Sequence, residues 1–211
     1  MSQQQSKKPP LRSAPHPASP WLAGLLFAAA LASPAGAQGK APPPPPAAAL
    51  TPQASLENLF SRLAQAKSPD EAQTITSTIE RLWLRSGSDT ADLLMNRAVG
   101  AVNKQDYSSA TKVLDKLVEL EPGWAEGWNK RATVRYLENN DDGSVSDISH
   151  VLALEPRHFG ALAGLGFILM RNGNDKRALQ VFRRVLEVNP QLENIRKIVD
   201  RMIPEVEGRE L

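Results

Sequence analysis

From residue 55 onward, apolar side chains return every three or four positions, the spacing that gathers them on one face of an α-helix. The pattern breaks every 12 to 18 residues at turn-forming clusters: Ser68-Pro69-Asp70, Ser86-Gly87-Ser88, Gln105-Asp106, Glu121-Pro122-Gly123, Asn140-Asp141-Asp142-Gly143, Glu155-Pro156, Gly173-Asn174-Asp175 and Asn189-Pro190. No segment alternates at period two for long enough to form a strand. The pattern predicts an all-α domain of about nine helices.

The turns themselves repeat. Leu120-Glu121-Pro122, Leu154-Glu155-Pro156 and Val188-Asn189-Pro190 stand 34 residues apart, with their flanks preserved. Two helices in a 34-residue period resemble the tetratricopeptide repeat. Placing each proline at the thirty-second position defines repeats 91–124, 125–158 and 159–192. The third matches the family's signature with Leu162, Leu165, Gly166, Leu169, Ala178, Phe182, Val185 and Pro190. The second offers Trp128, Ala132, Ser144, Ile148, Val151 and Pro156, with Arg131 and Arg135 in place of the usual apolar residues. The first offers Leu94, Ala98, Ala110, Leu114, Leu117 and Pro122, departing at Arg97 and Ala101. The resemblance implies a helical-hairpin solenoid wound as a right-handed superhelix.

Small residues recur in the first helix of each pair (Ala98, Ala132, Gly166) and twelve positions later in the second (Ala110, Ser144, Ala178), which lets the helices cross at close range. The large residues between them fill the core, and the prolines end each second helix. Residues 55–90 form a further helix pair, read as a degenerate hairpin or cap, with Ser68 as N-cap and Pro69 as first helical residue. Carrying the register back puts Phe60, Leu63, Ala64 and Trp83 on signature positions, while Lys67, Thr76, Glu80 and Ser88 depart. Residues 193–211 hold a capping helix and tail, with Ile195, Ile198, Val199 and Met202 on the covering side.

Ahead of the helical pattern the composition changes: twelve of the 17 prolines lie in the first 52 residues. Residues 1–20 are polar and basic, Trp21 to Ala32 is an apolar run of twelve, and Ala35-Gly36-Ala37 follows a Ser-Pro break. This is the plan of a secretory signal, with cleavage expected after Ala37 and export to the periplasm of a Gram-negative bacterium or beyond. The alternative is a retained anchor, but twelve helical residues rise about 18 Å against a hydrocarbon core of about 30 Å. No membrane span is then expected in the mature chain. Residues 38–54, with five successive prolines at 42–46, read as a stiff polyproline spacer.

The whole chain has 25 basic and 23 acidic side chains; losing Lys7, Lys8 and Arg12 with the signal leaves 22 against 23. A near-neutral domain lacks the clustered charge that holds nucleic acid, so no nucleic-acid partner is expected. There is no cysteine, hence no disulfide, thiol nucleophile or thiolate metal site. His150 and His158 lack the spacing that puts two metal ligands on one helix face and read as surface residues. With no convergent catalytic constellation, the chain reads as a non-enzyme without cofactor or metal.

Solenoids of this kind hold peptides or helices in a concave face lined by the first helices of successive repeats. The resemblance places there Met95, Asn96, Val99 and Asn103; then Asn129, Lys130, Thr133, Tyr136 and Leu137; then Ala163, Phe167, Met170 and Arg171. Packing between repeats is the competing role for Val99, Leu137 and Met170. Met95 and Val99 stand where chaperone-binding relatives begin their grip on a C-terminal carboxylate, so recognition of that kind is not implied. The expected role is a scaffold or adaptor for a protein or peptide partner; self-association into a homo-oligomer and service as an accessory subunit of an exported enzyme are the alternatives.

Overall fold

The computed structural model describes residues 52–208, so the expected secretory signal, its expected cleavage after Ala37 and the proline run lie outside the described residues. Among the described residues nine α-helices follow one another: α1 (Pro52–Ala64), α2 (Pro69–Trp83), α3 (Asp89–Asn103), α4 (Tyr107–Leu120), α5 (Ala125–Leu137), α6 (Asp141–Leu154), α7 (Phe159–Arg171), α8 (Asp175–Val188) and α9 (Glu193–Val206). No strand occurs among the described residues. The protein is an all-α helical-hairpin solenoid.

The 34-residue period governs the turns as well as the helices. The α3–α4, α5–α6 and α7–α8 hairpins each turn on one residue in the left-handed region: Gln105 (φ 59°), Asn139 (φ 60°) and Gly173 (φ 71°). The following N–H closes back on the carbonyl five residues earlier, Asp106 on Ala101, Asn140 on Arg135 and Asn174 on Leu169. That bond satisfies a carbonyl the helix end would leave bare. Asp106 and Asn140 then cap the next helix, their side-chain oxygens accepting from the N–H of Ser109 and Gly143 at 3.1 and 2.9 Å.

Inside each pair the small residues meet as their spacing requires. Ala98 and Ala110, Ala132 and Ser144, and Gly166 and Ala178 are all buried. The Ser144 hydroxyl donates to the Ala132 carbonyl at 2.8 Å, so this polar residue enters the core satisfied. The two arginines that break the apolar pattern are compensated by acids. Arg131 forks onto Asp147 at 2.8 and 3.0 Å and reaches Asp115 at 2.8 Å, while Arg135 meets Asp147 at 2.9 Å. Asp147 is only 1% exposed. The Arg131 guanidinium also lies 4.8 Å from the centre of the Trp128 ring.

The first helix pair has its own placement. Ser68 caps α2 with Pro69 as its first residue, but the pair does not extend the stack on α3. Phe60, Leu63, Ala66, Ala72, Ile75, Ile79 and Trp83 instead share one core with Phe159, Leu162, Phe182, Val185 and Ile195. Polar bonds fix α2 across the turns between repeats: the Trp124 indole N–H donates to the Trp83 carbonyl (2.7 Å), and the Asn189 amide to the Thr76 hydroxyl (3.2 Å). Just before α2, the Ala66 carbonyl accepts from Gln191 at 2.8 Å. Arg157 forks onto Glu57 of α1 at 2.7 and 3.0 Å. Ala64, on a signature position when the register is carried back, is exposed. At the far end Ile195, Val199 and Met202 of α9 close the core.

Candidate functional site

The first helices of the three repeats are α3, α5 and α7, and the candidate groove residues lie along them. The structure joins Tyr136 of α5 to Arg171 of α7, whose guanidinium sits 4.0 Å from the centre of the phenol ring. Arg171 is held by Asp141 at the start of α6, with its Nε 3.2 Å from Asp141 Oδ2. Two repeats thus share one ledge, aromatic below and cationic above. Asn96 is exposed and Val99 half-buried on α3. Thr133 is half-buried and its hydroxyl donates to the Asn129 carbonyl of its own helix at 2.9 Å.

Asn129 and Lys130 come together on a different group. The Asn129 amide donates to Glu126 at 3.1 Å, and the Lys130 ammonium lies 3.5 Å from the same carboxylate. Phe167 and Met170 are half-buried and pack against the core around Phe182, which Phe167 meets edge-on at 5.2 Å. Met95, expected on the groove, is 6% exposed and belongs to the core instead. A long, unbranched thioether is suited to filling irregular space inside a core.

His158 needs a larger correction. Read as a surface residue, it is 2% exposed. Its Nδ1 accepts the Ala161 N–H at 3.1 Å and caps α7, which leaves Nε2 to carry the proton toward Glu126 at 3.2 Å. Trp83 stacks over the imidazole at 4.1 Å with the planes 10° apart. Burial alone would push the Glu126 carboxyl up, yet the His158 hydrogen bond, with Lys130 and Asn129, holds it below its ordinary range. Glu80 of α2 faces this seam; burial first, and then the negative Glu126, push its carboxyl up. This seam seals α2 to the ends of α5 and α7 and leaves the Tyr136–Arg171 ledge uncovered by those contacts. One signal for it is present in the sequence: His158 and Trp124 occupy the same position in successive repeats, each just before a first helix.

Among the described residues no group of three His, Cys, Asp or Glu is placed to hold a metal ion. No described helix is long and apolar enough to cross a membrane.

No protein-family profile matches the chain. A TPR repeat-containing protein of Rhizobium etli is 39% identical over 158 residues, covering 75% of this chain and 78% of that protein. Solved structures share the fold, among them two that hold a peptide. The first tetratricopeptide domain of Spaghetti, bound to an HSP90 peptide, superposes with a TM-score of 0.53 at 17% identity, over 56% of this chain and 93% of that one. The Yersinia enterocolitica type III secretion chaperone SycD, in complex with a peptide of the translocator YopD, gives a TM-score of 0.53 at 16% identity, over 59% and 97%. The extent of the Rhizobium match, together with the in-register helices, shows that the chain belongs to the tetratricopeptide-repeat family.

Proposed function

We propose that the protein is an exported, non-catalytic scaffold that holds a segment of a protein partner across α3, α5 and α7. The observation that carries this reading is the ledge built by Tyr136 and Arg171 from adjacent repeats, with the exposed amide of Asn96 and the half-buried Val99 on the same run of first helices. Its cations are already neutralised within the chain, Lys130 by Glu126 and Arg171 by Asp141. A groove of amides and apolar side chains suits an internal peptide segment, whose backbone seeks hydrogen bonds and whose apolar side chains seek cover. It does not suit a terminal carboxylate, which needs uncommitted positive charge. The Spaghetti domain and SycD each hold a peptide on the same fold, which supports the mode of action.

Affinity capture from a cell-envelope extract tests the assignment, comparing the native chain with Tyr136→Ala and with Asn96→Asp/Val99→Asp. Partners recovered by the native chain and lost by both variants support the groove. Equal recovery of every partner by all three refutes it. Export is tested by cell fractionation together with the mass of the secreted N-terminus, expected to begin at Gln38.

A further inference from the structure

The third and tenth positions of each repeat are where a first helix meets the repeat before it. In the second and third repeats those positions are Gly127 and Val134, then Ala161 and Ile168, and all four are buried. In the first repeat they are Leu93, 69% exposed, and Gly100, where an added Cβ would meet nothing within 4 Å. The stacking face of α3 is therefore bare, because α1 and α2 pack on α7 and α8 instead of before α3. We propose that this face pairs with the same face of a second copy of the chain, about a two-fold axis that sets the two α3 helices antiparallel.

Three observations select a second copy as the occupant. The opposite end of the solenoid is no complement, since the outer side of α9 carries exposed Glu193, Arg196, Lys197, Asp200 and Arg201. Head-to-tail stacking would press Leu93 onto charge, whereas the like face offers an apolar match. The charge along α3 is also self-complementary when reversed: Asp89 begins the helix and Lys104 follows its end, both exposed, so each end faces its opposite in an antiparallel pair. Finally, Gly100 and the half-buried Ala101 leave room to receive Leu93 from the partner helix. Arg97, nearest the axis, is exposed and long enough to turn its guanidinium out of the contact. One helix pair of about 22 Å makes a small interface, so a dissociation constant on the order of micromolar is expected.

Sedimentation of the full chain over a range of roughly 1 to 200 µM is the test, bracketing that affinity. A monomer–dimer equilibrium is expected, weakened roughly tenfold or more by Leu93→Asp. Lys104→Asp should weaken it as well, and Asp89→Lys added to Lys104→Asp should restore it. Because the chain has no cysteine, Arg97→Cys is a clean reporter that should form a disulfide-linked dimer, while Arg184→Cys on the exposed side of α8 should not. Near-ultraviolet circular dichroism of each variant checks that the fold is kept. A strict monomer over the whole range overturns the proposal. So does an association that Leu93→Asp leaves unchanged, which would place it on another surface such as residues 21–32. Tyr136→Ala should leave the dimer intact, so failure here and failure of the groove assignment give different results.

Discussion

Gly166 sits inside α7, where replacing glycine by alanine ordinarily stabilises a helix by about 1 kcal/mol. Here the sign reverses. A methyl group at this position would stand 2.5 Å from Cε1 of Phe182 and 2.8 Å from Cδ1 and Cζ. That ring is fully buried, and Phe167 meets it edge-on, so it has little freedom to retreat. Overpacking of this kind costs about 1 to 3 kcal/mol, leaving a net loss of up to about 2 after the helix-propensity gain. The other repeats show why: opposite Ala98 and Ala132 the position of Phe182 holds Leu114 and Ile148, smaller side chains that leave space for the methyl. Gly166 and Phe182 are a matched pair.

The assay is a double-mutant cycle in urea, with midpoint and slope followed by circular dichroism. Gly166→Ala should lower stability by up to about 2 kcal/mol with an unchanged slope, or up to about 6 °C in Tm. Phe182→Leu alone should cost about 1 to 2 kcal/mol through the cavity it opens. In the Phe182→Leu background, Gly166→Ala should become neutral or stabilising, because its methyl then fills that space. Stabilisation by Gly166→Ala alone, or the same effect in both backgrounds, would refute the close-approach argument.

Other outcomes can be stated briefly. Gln105→Gly should stabilise by about 1 kcal/mol in a thermal melt, since Gln105 adopts the left-handed conformation that costs a non-glycine residue about 1 to 2 kcal/mol; Asn139→Gly should gain less, asparagine tolerating that region better. Asp147→Ala should cost about 3 to 5 kcal/mol in chemical denaturation by stranding Arg131 and Arg135 beside a single remaining acid, Asp115. Glu126 and Glu80 should respond oppositely to pH in denaturation midpoints between pH 3 and 7. The Glu126 carboxyl titrates below its ordinary 4.5, so its contribution is full above that value and disappears as the pH falls through its folded pKa; Glu126→Gln should be destabilised at pH 7 and converge with the native chain in acid. The Glu80 carboxyl titrates above 4.5, a penalty present at neutral pH and relieved in acid, so Glu80→Gln should stabilise at pH 7 and lose its advantage below about pH 4.5.

The stack of repeats was legible because its causes are local. Pro122, Pro156 and Pro190 each stand two residues past the end of a second helix and keep it from continuing, and small residues at fixed offsets bring two neighbouring helices together. The compensation of Arg131 and Arg135 was harder to read. Its acids lie sixteen residues away from Arg131 on either side, in different helices, and only the crossing of α4, α5 and α6 brings them within reach. His158 could not be placed from its own surroundings at all. Its burial depends on Trp83, and nothing in the periodicity of α2 states which surface that helix will cover. The groove residues fall between these cases, for a repeat position puts Tyr136 and Arg171 on first helices but does not join the guanidinium to the ring.

The placement of α1 and α2 changes how the repeat architecture behaves. In an ideal solenoid each repeat touches only its neighbours, and stability is close to a sum of repeat and nearest-neighbour contributions. Here bonds at sequence separations of 100, 113 and 125 residues tie Glu57, Thr76 and Ala66 to the turns that precede and follow the third repeat. Trp83 is bonded in turn to Trp124, at the entry of the second. One hairpin therefore spans three inter-repeat turns and couples repeats that stacking alone would leave partly independent. The same placement has an opposite effect on the first repeat, which receives none of that cover along the stacking side of α3. A single choice, to pack on the turns of later repeats and not on the front of the first, stiffens one end of the groove and leaves the other end with an unsatisfied apolar face.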